Sequence, residues 1–221
     1  MKTEELGKNK ILNLLLKPAG FLMESGVRRW LIGSQKMLQG ANLQPGQTVL
    51  EVGAGTGFFT IPAAKLLGEQ GHLIAIEVLA GYVKHIEKKL NKAGLKNVRV
   101  IQRDALETGL EKESVETILL FGVIPFPTLP LNRLLPEMHR VLRPDGTMAV
   151  WLFPTPAWVP RSIQSSGLFE FTTKENGVYR YRRINVDTPA ACLLPKLCGG
   201  LMKKKRKPDK TRSPEPLGCV R

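Results

Sequence analysis

Cysteine is scarce in this chain of 221 residues: Cys192, Cys198 and Cys219 are its only three, and all lie within the last thirty positions. The rest of the sequence has no thiol to staple a core and no spaced Cys/His set for zinc, so neither a structural disulfide nor a metal site is expected. Long apolar runs are missing as well. No segment approaches the roughly 18 to 20 apolar residues that cross a bilayer, and Met1–Lys10 is polar and charged rather than signal-like. These absences predict a cytoplasmic protein without a membrane span. No glycine-rich loop ends in Gly-Lys-Ser/Thr, which removes the lysine that a P-loop uses to reach phosphates.

Basic residues are abundant, with a formal net charge of +14. Their distribution matters more than the total. Residues 196–221 hold nine Lys/Arg against Asp209 and Glu215, giving +7, whereas residues 1–160 hold nineteen basic and fourteen acidic side chains, giving only +5. A mildly basic folded part with a basic tail is the simplest reading. Residues 186–221 lack apolar periodicity and are rich in Pro, Gly, Lys and Arg, so they read as a disordered tail.

Residues 4–40 show apolar positions at helical spacing: Ile11, Leu14 and Leu15, then Val27, Trp30 and Leu31 after the break at Pro18–Gly20. Two or three short helices are expected in this extension (residues 1–45). They pack on the sheet, act as a lid, or lie on a membrane surface. From Gly46 the pattern alternates. Strands are expected at Thr48–Val52, Leu73–Glu77, Val98–Gln102, Thr117–Phe121 and Thr147–Trp151, with helices near Thr60–Leu67, Gly81–Ala93 and Leu131–Leu142. The last helix runs into a turn signal, Arg143-Pro144-Asp145-Gly146. After the proline-rich stretch at Pro154, Pro156 and Pro160, two β-rich runs flank Asn176-Gly177, a hairpin signal because both residues tolerate positive φ. This is an α/β, doubly wound design closed by an antiparallel edge, over residues 46–185.

The strongest local signal is Glu51-Val52-Gly53-Ala54-Gly55-Thr56-Gly57, an apolar strand that runs into glycines and then a helix. Bare backbone there lets a ligand approach closer than a Cβ permits. Two details disfavour a dinucleotide oxidoreductase: the third glycine follows the second by two residues, and Phe58 stands where that fingerprint has Gly or Ala. Glu51 at the first strand end suits a cationic ligand better than a phosphate. Glu77, twenty residues after Gly57, closes the second strand where a carboxylate can accept both hydroxyls of a ribose. Asp104, just past the third strand, is placed to meet an adenine amino group. Any one of these carboxylates alone has a plainer reading as a helix cap or a solvated loop charge, Asp104 above all; three on successive strand ends form a set.

With Ala75-Ile76-Glu77, Arg103-Asp104-Ala105 and Glu137–Gly146, this loop resembles the class I S-adenosylmethionine (SAM)-dependent methyltransferases over about residues 46–151, especially the type 11 branch with the ubiquinone/menaquinone and arsenite methyltransferases. The resemblance implies a Rossmann-like sheet of order 3-2-1-4-5-7-6 with strand seven antiparallel, and SAM as cofactor. It implies that Gly53, Ala54, Gly55, Thr56 and Gly57 line the methionine part, with Glu51 near its amino group. Glu77 would hold the ribose and Val78 would contact the adenine, while Asp104 and Ala105 would meet the adenine edge. Phe121 and Gly122 would lie beneath the sulfonium. His139 falls on a helix that the family uses structurally.

Departures narrow the acceptor by exclusion. The core lacks the thiolates that arsenite methylation needs and the cysteine of covalent C5-pyrimidine chemistry. Gly122-Val123-Ile124-Pro125-Phe126-Pro127 replaces the Asn-Pro-Pro-Tyr type used on exocyclic amines. A small or partly apolar acceptor is expected, walled by Phe121–Pro130 and covered by Phe21, Met23 and Trp30. Two rivals stand beside it: methylation of RNA or protein through Lys203–Lys207 and the arginines 180, 182 and 183, and SAM binding without turnover.

Overall fold

The computed structural model describes residues 33–125, 129–152 and 158–185. In chain order the elements are α1 (Ser34–Ala41), β1 (Thr48–Val52), α2 (Thr60–Leu67), β2 (His72–Glu77), α3 (Ala80–Ala93), β3 (Val98–Gln102) and β4 (Val115–Phe121). They continue with α4 (Leu131–Val141), β5 (Leu142–Trp151), α5 (Trp158–Ser165), β6 (Phe169–Glu175) and β7 (Val178–Arg183).

The seven strands form one sheet in the order β3-β2-β1-β4-β5-β7-β6. Strands β1 to β5 are mutually parallel, and β7 runs antiparallel to both β5 and β6. The order and the antiparallel strand are those that the sequence motifs imply. The hairpin turns at Asn176 and Gly177, with φ of 50° and 79°, a left-handed pair that fits the twist of the two strands.

Alternation along the strands divides the core between the two faces. Val49, Leu73, Leu119, Ala149 and Trp151 face α1 and α2 and are covered by Leu38, Ala63 and Leu67 of those helices and by Phe59, just before α2. Leu50, Ile118, Leu120, Met148 and Val150 face the other way, against Leu134 and Met138 of α4 and Val159 and Ile163 of α5. Helix α3 seals β2 through Ile86 and Leu90 packed on Ala75. Complete burial of a leucine-sized side chain contributes about 2 kcal/mol, so both helical layers hold the sheet rather than decorate it.

Two expectations change. The segment Arg143–Gly146, read as a turn, lies within β5: Leu142 pairs with Val115, the register then shifts, and Thr147 pairs with Thr117. The irregularity absorbs Pro144, which cannot donate to a regular ladder. The crossover from β5 to β6 carries α5, which the proline-rich composition concealed; Pro160 is tolerated because it sits in the first turn, where no intrahelical N–H bond is due. Of the N-terminal extension only α1 falls within the described residues, and it packs on the sheet through Met37, Leu38 and Ala41. The expectations for Phe21, Met23, Trp30, Phe126, Pro127 and the basic tail lie outside the described residues. Among those described, no helix is long and apolar enough to cross a membrane.

Candidate functional site

The ends of β1 and β2 are tied together before the chain turns. The N–H groups of Gly53 and Ala54 both donate to the carbonyl of Ile76, at 2.8 and 3.1 Å, and Gly57 N–H closes the loop on Ala54 O at 2.9 Å. Gly53 adopts φ +68°, and a Cβ on it would run into the Val123 side chain, so only glycine fits there.

Glu51 is 3% exposed, and its Oε2 accepts the Thr60 hydroxyl at 2.6 Å. Burial pushes its carboxyl up to about 8, opposed by the Thr60 hydrogen bond and reinforced by the charge of Glu77. Glu77 is buried beside it. Its Oε2 accepts Gly55 N–H at 2.8 Å and its Oε1 accepts Leu79 N–H at 2.9 Å. Burial raises this carboxyl too, outweighing the hydrogen bonds from the backbone of Leu79, Gly55 and Val78. The Tyr82 phenol is raised by burial and then by the Glu77 charge, which places Tyr82 within the field of that carboxylate.

Around this pair the other predicted residues take distinct places. Val78 is half-buried, and its carbonyl accepts the Gln102 amide at 3.2 Å. Asp104 uses Oδ1 to accept Leu106 N–H at 2.9 Å, a local turn that leaves Oδ2 outside that bond. Ala105 is part of the core. The Phe121 ring is buried and stands edge-on to Phe59 at 5.0 Å, so its side chain braces the core. Gly122, at φ +69°, donates its N–H to Trp151 O at 2.9 Å and is exposed at the end of β4. The Thr56 residue is 4% exposed, and its hydroxyl has no hydrogen-bond partner among the described residues.

The fold thus gathers Glu51, Gly53–Gly57 and Glu77 into one constellation, with Asp104–Ala105 and Phe121–Gly122 on the flanking strand ends. Sequence reasoning missed Thr60 and Tyr82, and placed Val123 in the acceptor wall without its approach to Gly53. Thr60 opens α2 immediately after the loop, a position that faces the strand end, and that was its one available signal. His139 is structural: its Nε2 lies 2.7 Å from Ile184 O, and its ring meets Phe169 edge-on at 5.8 Å.

A family model described as a methyltransferase domain matches residues 43–185. The chain belongs to the class I SAM-dependent methyltransferases. Methyltransferases of this family also supply its curated relatives. The chain is 29% identical over 142 residues to a ubiquinone/menaquinone biosynthesis C-methyltransferase of Vibrio vulnificus, covering 64% of this chain and 54% of that protein. It is 29% identical over 106 residues to a protein-L-isoaspartate O-methyltransferase of Methanothermobacter thermautotrophicus, covering 48% of this chain and 49% of that protein. The chain spans about half the length of the curated relatives it matches. A SAM-dependent methyltransferase from Aquifex aeolicus shares the fold with a TM-score of 0.63 at 24% identity, covering 75% of this chain and 96% of that one.

SAM, the cofactor of this family, fits the residues present. Glu51 and Glu77 are buried carboxylates with hydroxyl and backbone donors but no cationic partner among the described residues, and they flank a glycine turn that excludes a Cβ. A ligand with an ammonium and a ribose offers the positive charge and the hydroxyl donors that such a pair lacks.

Proposed function

We propose that this chain transfers the SAM methyl group to a small, partly apolar acceptor by in-line displacement. When bound, SAM supplies a methyl group on a positively charged sulfur. Glu51 holds the amino end of the cofactor, with Thr60 fixing the carboxylate, and the bare backbone of Gly53–Gly57 lies along the methionine part. Glu77 accepts the ribose hydroxyls while anchoring Gly55 and Leu79. Val78, Asp104 and Ala105 border the adenine, and Phe121 and Gly122 end the strand beneath the reacting centre. Positioning of this kind supplies effective molarities of about 10⁵ M or more, so no dedicated base is required.

The acceptor reading rests on a cavity of about 860 Å³ that begins at Pro125, just beyond β4, and is walled by Leu129, Leu135, Trp158 and Leu168. A mostly apolar wall with Asn132 and Ser162 among its polar groups suits a small organic molecule better than a polymer. The relatives alone do not choose, since one is named for a quinone pathway and another for a protein residue. The folded unit is proposed to be residues 46–185, with residues 1–45 as an extension and 186–221 as a tail, in the cytoplasm.

The test is to incubate the full chain with SAM and a panel of quinols, phenols and amines, and to measure S-adenosylhomocysteine release. Turnover on one of these, lowered by Leu135→Trp, supports the reading. Turnover only on RNA or protein overturns the acceptor class, and SAM binding without turnover on any substrate overturns the enzyme.

A further inference from the structure

The turn at Gly53–Gly57 is gripped from three directions, and one of them is the acceptor side. From β2, Ile76 O accepts the N–H groups of Gly53 and Ala54, and Glu77 accepts Gly55 N–H. From α3, Lys89 Nζ donates to Thr56 O at 2.9 Å. From beyond β4, the half-buried Val123 side chain stands over Gly53, with its Cγ1 in the space that a Cβ there would take. The first two grips are polar and hold backbone atoms. The third is steric: groups already in contact cannot approach further without moving the backbone.

Val123 is itself fixed on both sides. Gly122, at φ +69°, holds the chain before it through its N–H to Trp151 O at 2.9 Å, and Ile124 after it is buried in the same core as Leu134 and Met138 of α4. Pro125, two residues on, opens the cavity of about 860 Å³. A short segment therefore runs from the end of β4, across the bare Cα of Gly53, to the mouth of that cavity. Close-packed groups transmit a displacement rather than absorb it, so movement at the turn reaches the cavity through Val123. We propose that Val123 is a positioning residue of the transfer: acting through Gly53, it sets where the methionine arm of the cofactor lies relative to the acceptor cavity. That role rests on the cofactor placement and the cavity proposed above.

The test uses the full chain and S-adenosylhomocysteine binding by calorimetry, with melting temperature as the measure of fold. Val123→Ala should bind about fivefold more weakly, as loss of two packed methyl groups would. Val123→Thr, of the same shape, should stay within about twofold of the wild type. Ile118→Val trims the same core from β4, where Ile118 is fully buried, and should lower the melting temperature at least as much as Val123→Ala while leaving the affinity unchanged. Equal weakening by Ile118→Val would make the effect one of general packing and overturn the proposal, as would unchanged affinity in Val123→Ala.

The contact itself is read by a double-mutant cycle. The factor by which Gly53→Ala weakens binding should be about tenfold smaller in the Val123→Ala background, where the residue 123 Cβ at 3.5 Å is an ordinary contact, than in the wild type. Equal factors would overturn the proposal; should Gly53→Ala not fold, Val123→Ala against Val123→Thr decides. On the acceptor side, saturating S-adenosylhomocysteine should shift the amide resonances of Ile124 and Leu129 about twice as far in the wild type as in Val123→Ala. Equal shifts, zero included, would also overturn it. Absence of turnover on the acceptor panel would deny the proposed reaction and leave these binding results to judge Val123. No binding by the wild-type chain would deny the cofactor placement and the role of Val123 together.

Discussion

At the tips of β1 and β2, Glu51 and Glu77 are buried with only hydroxyl and backbone donors, whereas around β5 and β7 the carboxylates of Glu137 and Glu113 are gripped by arginines. Arg140 holds Glu137 at 2.7 Å while the Thr108 hydroxyl and N–H close on the same carboxylate, and the Glu137 carboxyl is held down at about 2, chiefly by Arg140. Arg183, largely buried, pairs with Glu113 at 3.0 Å and donates to Leu142 O at 2.9 Å. The same residue type is therefore kept ionised at one place and pushed toward neutrality at the other. Paired carboxylates brace the end of the sheet, and in the proposed function the two without an arginine would meet a cation that arrives from outside.

The comparison breaks most visibly at Glu77. Glu77→Ala should weaken SAM binding by at least about 100-fold by calorimetry, or about 2.7 kcal/mol, because the proposed ribose acceptor and the anchor of Gly55 go together. An unchanged affinity would deny the site. At the braced end the consequence moves from binding to stability. Arg183→Met strands the Leu142 carbonyl and should lower the urea unfolding free energy by about 1–3 kcal/mol, with SAM affinity unaltered; a loss of binding instead would show that the two regions are coupled.

Glu51 sharpens the contrast through pH. Its carboxyl is raised, so its share of folding stability is full below its ordinary value of 4.5 and is lost as pH rises through about 8. A bound cation favours the ionised form. SAM affinity should therefore rise between pH 6 and 8, by up to about tenfold per unit, with uptake of a proton by buffer; calorimetry in two buffers of different ionisation enthalpy reads it. Binding without proton release at pH 6.5 would place the ammonium elsewhere. Glu137 has the opposite sign: its stabilisation is present above its ordinary value of 4.5 and is lost as pH falls through about 2. Glu137→Gln should cost about 1 kcal/mol at neutral pH and flatten that acid limb. The smallest effect is expected from ending the chain after Asn185, which should shift the melting temperature by less than about 2 °C; loss of folded protein would move the proposed boundary.

Much of this molecule could be read before its structure. The strand-to-glycine transition at Val52–Gly53 and the hairpin at Asn176–Gly177 were readable because both are local: each rests on neighbouring residues that tolerate left-handed backbone. Helix α5 was not readable, because prolines dominate its surroundings and only packing of Val159 and Ile163 on the sheet selects the helix. The irregularity at Arg143–Gly146 was read as a turn because the strand that pairs on either side of it, through Val115 with Leu142 and Thr117 with Thr147, lies far away in sequence. At the site, Glu51 and Glu77 were singled out from their positions at strand ends, but their partners Thr60 and Gly55, and the clash that reserves position 53 for glycine, depend on groups brought together from other parts of the chain.

By itself the amino-acid order determined the alternation of strands and helices, the family motifs and the acidic strand ends, since periodicity, glycine and charge act over a few residues. Only the tertiary structure decided which carboxylates would be neutralised by an arginine and which would not. Those outcomes depend on distances between groups far apart in the chain, and electrostatic energy follows distance in space.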